Sequence, residues 1–230
     1  MKAIRSFSVV IGGPLILFAV AVTGVLSSLR SIARGLVPPL PAFAVSIATF
    51  FYLKVFRPWH LTWGSSDEEL LEPLPGDEVL EATGTFIQHS IEIDAPANEV
   101  WPWVAQVGQD RGGFYSYEWL ENMAGCNMKN ADSIHPEWQE RAVGETVKLH
   151  PDTGLEVTVF EPGQVLGLKG WGNMVVRPEG PDRCRVVIRG RVKSGIQAVV
   201  YGILIELPHF IMERKMLLEI KRLAEQRHSG

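Results

Sequence analysis

Residues 91–115 have the sequence IEIDAPANEVWPWVAQVGQDRGGFY, which predicts a strand end, a turn, a helix and a glycine-rich loop in succession. Every second position from Ile87 to Ile93 carries an apolar residue or His89, as in a half-buried strand. An Asp-Ala-Pro turn follows, and Asn98 is expected to cap a short helix that runs to Val107. This stretch therefore predicts the first strand and first helix of an α+β domain.

Further elements follow on the C-terminal side of this stretch. A second short helix is predicted from Tyr117 to Met123, and a long helical run from Gln197 to Gln226 with an interruption at Pro208. Between them, turn signals separate five strand-like runs: Glu145–His150, Leu155–Phe160, Val165–Gly170, Asn173–Arg177 and Arg185–Val192. The pattern is typical of an antiparallel meander closed by a C-terminal helix.

Four segments give the chain a family resemblance. They are APANEVW at 95–101, RGGFYSY with WLEN at 111–122, NADSIHPEWQ at 130–139, and PHFIMERKM with IKRLAE at 208–225. With these segments, residues 63–225 resemble the SRPBCC superfamily, which is related to START lipid-binding domains and polyketide cyclase/dehydrase proteins, and within it a membrane-tethered subgroup.

The resemblance implies a helix-grip fold, in which a curved antiparallel sheet wraps the C-terminal helix and leaves an elongated apolar cavity. Such a cavity implies a lipid, isoprenoid or aromatic ligand, but fold alone does not fix function. One alternative is a polyketide cyclase- or dehydratase-like enzyme, and another is a non-catalytic interaction module whose interior is filled by its own side chains.

The charges are distributed unevenly along the chain. Residues 1–59 contain no Asp or Glu and six of the 22 Lys and Arg residues, so the remaining 16 bases face all 26 acids, a net charge near −10 for residues 60–230. Nucleic-acid phosphates require a basic surface, so we expect no nucleic-acid partner. The shift in composition predicts an N-terminal segment (1–59), a linker or cover (60–84) and a ligand-binding domain (85–228).

The N-terminal segment is predicted to enter a lipid bilayer. Ser6–Leu29 is a run of 24 uncharged residues, longer at about 1.5 Å per residue than the roughly 30 Å hydrocarbon core. A second, shorter apolar run suggests a hairpin with spans at about 7–29 and 40–56. Four bases outside the hairpin against two in its loop predict a two-pass protein with both termini and the soluble domain cytoplasmic. A single span with an interfacial segment, or a cleaved signal peptide, are the alternatives.

The last helix carries polar residues on its apolar arc. At 100° per residue, Glu206, His209 and Glu213 fall within the arc that holds Met212 and Met216. A buried Glu213 beside His209 is a candidate for acid/base chemistry, and both can bind a ligand together with the two methionines. Alternatively, Glu213 pairs with a sheet arginine or caps backbone groups, Pro208 turns Glu206 elsewhere, and the methionines are plain core.

The glycine-rich loop supplies a second group of candidates. Arg111 can bind a ligand carboxylate or phosphate through its planar guanidinium, and Tyr115, Tyr117 and Trp119 can line the cavity. Alternatively, Arg111 fixes the loop through Asp132 or Glu118.

Asp132 and His135 precede Pro136 and form a third candidate group. Asp132 can orient His135 as in acid/base pairs, and both are catalytic candidates beside Glu213. An Asx turn explains this cluster without chemistry.

Metal and cofactor motifs are absent from the sequence. Cys126 and His135 lack a second ligand pair at zinc spacing, and no glycine-rich nucleotide-binding motif is present. We expect no metal and no cofactor, and Cys126 and Cys184 are expected to be buried thiols.

Overall fold

The computed structural model describes residue 44 and residues 47–229. The chain divides into two compact units, Met1–Leu61 and Thr62–Gly230. The first predicted span and the start of the second lie outside the described residues.

The described part of the first unit is helical. Residues 47–51 are α-helical, Tyr52–Phe56 form a π-helical turn, and α1 follows at Arg57–Leu61. Across that turn the Tyr52 and Phe56 rings lie 5.8 Å apart. Among the described residues, no helix combines the length and apolar character needed to cross a membrane.

The second unit contains a six-stranded antiparallel sheet. Its strands are β1 (Thr85–Ile93), β2 (Thr146–His150), β3 (Thr153–Glu161), β4 (Val165–Leu168), β5 (Gly172–Pro178) and β6 (Cys184–Val192), in the order β1-β6-β5-β4-β3-β2. Register shifts occur at Lys148/His150 and at Val157/Val159. Such irregularities bend a sheet, and they curve this one. The predicted meander is confirmed, with strand ends that differ by one or two residues.

Strand β1 is buried on both faces, which differs from the half-buried strand that its alternation predicts. Gln88 and Ser90 are as buried as His89. A cover segment, residues 62–80, lies on the outer face of β1 and β6: the Ser90 N–H donates to the carbonyl of Trp63, and Gln88 donates to the Ser65 hydroxyl. The cover segment includes α2 (Asp67–Leu71) and a 3₁₀ turn at Asp77–Val79.

Two helices follow β1, and the first of them packs on β5 and β6. Helix α3 is Ala97–Ala105 and α4 is Glu118–Met123. The predicted N-cap at Asn98 is wrong, because Pro96 occupies that position and its carbonyl accepts from the Val100 N–H at 3.2 Å. Proline is extended here, and its fixed φ suits the residue that leads into a helix.

The C-terminal run forms α5 (Ile196–Leu204) and α6 (Glu206–Ser229). The break falls at Ile205, three residues before the predicted interruption at Pro208. Proline is tolerated in the first turn of a helix, since N–H groups there have no intrahelical acceptor. Helix α6 packs Met216, Leu217 and Ile220 into the main core.

Candidate functional site

A cavity of about 450 Å³ lies within the second unit, between the sheet, the loop that leads into α4, and helices α5 and α6. Its wall is mainly apolar. The lining residues are Phe114, Ser116, Glu121, Cys126, Met128, Leu149, Leu155, Gly170, Trp171, Tyr201, Ile205, His209, Met212, Glu213 and Met216.

Glu213 is the most deeply buried charged group of the cavity wall, with 1% of its side chain exposed. Its Oε2 atom forms a short hydrogen bond with Nδ1 of His89, which projects from β1. Its Oε1 atom accepts a hydrogen bond of 2.8 Å from the indole N–H of Trp171, in the β4–β5 turn. Sheet and helix are therefore joined through this carboxyl group.

Opposing effects act on the pKa of Glu213. Burial alone raises it, but His209 and His89, with the hydrogen bonds from His89 and Trp171, outweigh burial and bring the pKa below the ordinary value. Glu213 is consequently a buried carboxylate rather than a neutral acid near pH 7.

A second hydrogen bond extends this network to α5. The Tyr201 hydroxyl lies 2.7 Å from Nδ1 of His209, and Nε2 of His209 lies 3.6 Å from Oε1 of Glu213. Burial, then the charges of Glu213 and Glu206, raise the pKa of Tyr201, which keeps the phenol protonated. The carboxylate favours the proton on Nε2 of His209, so Nδ1 accepts from Tyr201. The chain of contacts is Tyr201, His209, Glu213, His89.

Two further polar groups of the cavity wall are Ser116 and Glu121. Glu121 lies in α4, and burial, reinforced by the charge of Glu118, raises its pKa to about 7. Cys126 lies nearby, and burial followed by the charge of Glu121 raises the pKa of its thiol. Both cysteines are free thiols, with Cys184 buried and Cys126 half-buried.

Four of the predicted ligand-binding residues line this cavity together: His209, Met212, Glu213 and Met216. Met216 is almost fully buried, while Met212 is half-buried at the cavity. Glu206, although buried, lies outside the lining. The interruption before α6 therefore does not disturb the arc from His209 onward.

Arg111 does not line the cavity. Its guanidinium donates to the carboxylate of Glu145 at 2.8 Å and to the carbonyl groups of Trp138 and Glu140. These contacts hold the loop before β2, so Arg111 fixes a loop as the alternative interpretation held, but through Glu145 rather than Asp132 or Glu118.

The aromatic candidates also lie elsewhere. Tyr115 is fully buried, its hydroxyl lies 2.7 Å from the amide nitrogen of Gln106, and its ring meets Trp103 edge-on. Burial raises its pKa. Tyr117 and Trp119 line a second, more polar pocket between α4 and α6, which shares Ser116 with the apolar cavity.

Asp132 and His135 lie at the surface rather than in the cavity. Asp132 is exposed and accepts a bond of 3.3 Å from the hydroxyl of Ser133, which lies 3.5 Å from Nε2 of His135. The His135 ring stacks on Trp138 at 4.0 Å. The two side chains meet only through Ser133, and neither contacts Glu213.

Sequence reasoning missed several residues of the cavity wall and of the hydrogen-bonded network around Glu213. His89 was visible as the polar residue on the apolar side of β1, but its partner is 124 positions away in sequence. Trp171 and Tyr201 carry no local signal of a polar role. Glu121 was hidden in a short helix whose orientation the sequence does not determine.

Metal ligation finds no support in this part of the molecule. Within residues 44 and 47–229, no group of three or more His, Cys, Asp or Glu side chains is arranged to hold a metal ion.

The sheet order, the helices and the cavity define the second unit as an α+β protein with helix-grip architecture and an apolar cavity. This agrees with the architecture that the resemblance to the SRPBCC superfamily implies. No family model matches the chain, and no curated protein matches it.

Two solved structures are similar to the chain. A polyketide-cyclase-like protein from Corynebacterium glutamicum is 16% identical, with a TM-score of 0.34 and coverage of 64% of this chain and 95% of that one. A protein from Arthrobacter aurescens is 16% identical, with a TM-score of 0.35 and coverage of 61% and 86%.

Proposed function

We propose that this protein is membrane-anchored and binds a hydrophobic small molecule in the cavity between the sheet and α6. The observation that carries the proposal is the cavity itself, about 450 Å³ in volume and walled mainly by apolar side chains. Small-molecule sites are typically concave and apolar, with volumes of about 300–1,000 Å³ and a few convergent polar groups. The Glu213 network and the Ser116–Glu121 wall supply such groups here.

The cavity volume favours a compact ligand. About 450 Å³ lies in the lower half of the usual range. A single acyl or isoprenoid chain, or an aromatic ring system, suits this space better than a lipid with two long chains. Phe114 and Trp171, whose ring centroids lie 5.4 Å apart in the wall, can pack against either kind of ligand.

Two features support a membrane location. The uncharged run from Ser6 to Leu29 is long enough to span a bilayer. In addition, α5 exposes one apolar stripe, formed by Ile196, Val199, Val200 and Ile203, on a helix without a charged residue. Its neighbours Tyr201 and Ile205 line the cavity. The stripe suits contact with acyl chains, and a cavity next to it can receive a ligand from the leaflet. A two-pass anchor with a cytoplasmic binding domain remains part of the proposal.

A ligand that co-purifies with the protein tests the proposal. The full chain is extracted in mild detergent, and bound small molecules are identified by mass spectrometry. Met212→Trp places an indole in the cavity, whereas the matched control Ile211→Trp changes an exposed neighbour on the same helix. We expect a stoichiometric apolar molecule in the wild type and the control, and its loss in Met212→Trp. Equal recovery from all three proteins contradicts the proposal.

The hydrogen-bonded network supports a second candidate, an enzyme that resembles polyketide cyclases or dehydratases. Tyr201, His209 and Glu213 all line the cavity, and His209 lies between the Tyr201 hydroxyl and the Glu213 carboxylate. The Tyr201 oxygen can take a proton from a bound substrate while the phenol passes its own proton to Nδ1 of His209, and the Glu213 carboxylate stabilises the imidazolium that forms; the reverse transfer returns the proton. The chemistry that fits is proton abstraction next to a carbonyl group, followed by dehydration or ring closure.

The enzyme hypothesis is separated from simple binding by two variants. In turnover assays with β-hydroxyketone probes, we expect His209→Gln and Glu213→Gln to lower the rate by about 10²- to 10⁴-fold while probe affinity stays within a few-fold. If wild-type protein binds such probes and converts none, the enzyme hypothesis fails and the binding function stands.

A further inference from the structure

Two buried polar groups lie in the cavity wall where α4 begins. Tyr117 is the N-cap of α4, so Ser116 occupies the position before the cap and Glu121 the fourth helical position. These two positions adjoin each other, and in many helices an apolar pair fills them. Here both side chains are polar, both residues are only 7% exposed, and both line the cavity.

Neither group is satisfied by the protein. Within the part of the chain that the structure describes, Ser116 Oγ and Glu121 Oε2 are buried without a hydrogen-bond partner. Buried polar groups are nearly always hydrogen-bonded, because leaving them unpaired is costly. The Glu213 carboxylate across the cavity shows the contrast, since both of its oxygens are bonded. An unpaired donor and acceptor in a cavity wall are therefore available to a ligand.

The charges of the wall restrict what that ligand can be. Among the described residues, no Lys or Arg lines the cavity, whereas two glutamates do. Arg111, the cation that the sequence offered for an anionic head group, is engaged with Glu145 elsewhere. A carboxylate or phosphate brought into this cavity would lose part of its hydration and meet no Lys or Arg, and His209, the histidine of the wall, is already engaged by Tyr201 and Glu213.

We propose that Ser116 and Glu121 bind the hydroxyl group of an uncharged, otherwise apolar ligand, such as a long-chain or isoprenoid alcohol or a phenol. This inference rests on the proposed binding function and adds the chemical class of the ligand. The ligand hydroxyl donates to Oε2 of Glu121 and accepts from the hydroxyl of Ser116, so one group satisfies both orphans. A carboxyl group with a pKa raised to about 7 can also act as the donor when protonated.

Matched chain probes test the inference on the full chain in detergent micelles. Decan-1-ol, decanoate and decane differ only in the end group, and native mass spectrometry at pH 8 measures bound probe at matched free concentrations. We expect decan-1-ol to bind at least about tenfold more tightly than decanoate, and more tightly than decane.

Variants assign the preference to the two residues. Ser116→Ala and Glu121→Leu are each expected to weaken decan-1-ol binding about three- to tenfold and to leave decane binding within about twofold. Glu121→Gln keeps a donor and an acceptor but removes the charge, so it is expected to retain the alcohol and to bind decanoate more tightly than wild type does. The exposed Glu78 supplies the control, Glu78→Gln, which should change neither affinity.

The outcomes separate the two levels of the proposal. If none of the probes binds, both the binding function and the hydroxyl site are overturned. If all three bind equally, or decanoate binds best, the cavity still binds apolar molecules but the hydroxyl site is wrong. If the alcohol preference survives in Ser116→Ala and Glu121→Leu, the preference exists but these residues do not provide it, and the proposed site is again overturned.

Discussion

Glu213 illustrates how one buried carboxylate connects stability with a candidate site. It accepts from Trp171, bonds to His89 and faces His209, so three separate elements meet at its two oxygens. A buried charge persists only when it is paired and hydrogen-bonded, and these partners meet that requirement. The same carboxylate lies where a ligand in the cavity would contact α6.

Replacing the carboxylate is expected to destabilise the fold. Glu213→Gln keeps the size of the side chain but removes the charge that faces two histidines, at an expected cost of about 2–4 kcal/mol in the free energy of unfolding. Thermal unfolding of the full chain, followed by near-ultraviolet circular dichroism, measures the loss. The exposed Glu140→Gln is the control and should change stability by less than about 0.5 kcal/mol. Equal melting temperatures for the two variants would contradict the claim that the Glu213 network stabilises the fold.

The lowered pKa of Glu213 also predicts acid sensitivity. A carboxyl whose folded pKa lies below its ordinary value of 4.5 stabilises the protein above about pH 4.5, and this contribution is lost as the pH falls through the folded pKa. Stability of the wild type should therefore drop as the pH falls below about 4.5, and part of that drop should be absent in Glu213→Gln. An unchanged acid slope in the variant would contradict the assignment.

Glu121 predicts the opposite dependence on pH. Its pKa of about 7 lies above the ordinary 4.5, so the folded state holds this proton more tightly than the unfolded chain, and stability falls as the pH rises from about 4.5 to 7. Glu121→Gln resembles the protonated form, so in ligand-free protein it should raise stability by about 1–3 kcal/mol at pH 8 and by little at pH 5. A pH-independent effect would refute the raised pKa.

For individual residues, the sequence predicted which side chains share a helix face better than it predicted their hydrogen-bond partners. The spacing of His209, Met212, Glu213 and Met216 predicts one helical arc, and in the structure all four line the same cavity. The partners of Glu213 could not be predicted, since His89 and Trp171 reach it only through the sheet register. Arg111 was misplaced for a similar reason, because its acceptors lie on a later loop.

Among the helices and strands, α5 is unusual because it exposes an apolar face. Ile196 is 76% exposed and Val199 55%, and the stripe continues through Val200 and Ile203 on the same helical face. Apolar residues at positions i, i+3, i+4 and i+7 form the buried side of most helices, yet here they face outward. Contact with water is unfavourable for such a face. Under the proposed function, the acyl chains of the bilayer cover it.

A polarity-sensitive fluorophore tests the environment of α5. The full chain, with Cys126→Ser to remove the half-buried thiol, is labelled at Ile203→Cys and placed in lipid nanodiscs. The control is labelled at Val143→Cys, because Val143 is also apolar and is 66% exposed in the wild type. We expect blue-shifted emission at position 203 and water-like emission at position 143. Water-like emission at both positions would argue against membrane contact by α5.

The cover segment, residues 62–80, is fastened to the sheet by Arg189. This β6 residue, with 5% of its side chain exposed, donates to Gln88, to Asp77 and to the backbone carbonyl groups of Glu69 and Glu72 at 2.6–2.9 Å. Arg189→Met is expected to cost about 3–5 kcal/mol, because it leaves these buried partners unpaired. Denaturant unfolding of the full chain checks the value.

Arg183 provides the matched control for Arg189. Its side chain is 54% exposed and pairs with Glu92 and Asp94 at the surface. Exposed ion pairs contribute little, so Arg183→Met should cost less than about 1 kcal/mol. Similar losses in both variants would show that the cover segment does not depend on Arg189.

The elements themselves were largely predictable, and their ends and surroundings less so. Turn residues such as those at 151–154 and 162–163 located the strands, since Gly, Pro and Asp specify turns by local chemistry. The start of α3 and the break at Ile205 were predicted less accurately, because Pro96 immediately precedes α3 and Pro208 lies within the first turn of α6. The burial of Gln88 and Ser90 was unpredictable from β1 alone, because the segment that covers them lies up to 28 residues earlier in the chain.

For the whole molecule, the central claim is that the second unit holds an apolar molecule inside its helix-grip fold. The sheet, α5 and α6 leave a space that side chains do not fill, and few polar groups line it. The architecture could be predicted from the sequence, whereas the volume of the cavity and the charge of its wall depend on contacts between segments that are distant in the sequence.

Photo-crosslinking with an apolar diazirine alcohol, applied to the full chain in nanodiscs and mapped by peptide mass spectrometry, tests this claim most directly. We expect saturable labelling of peptides that contain Met212–Met216 and Phe114–Cys126, competed by unlabelled alcohol and lost in Met212→Trp. Labelling confined to the N-terminal apolar segments or the outer face of α5, with the cavity peptides unlabelled, would contradict it.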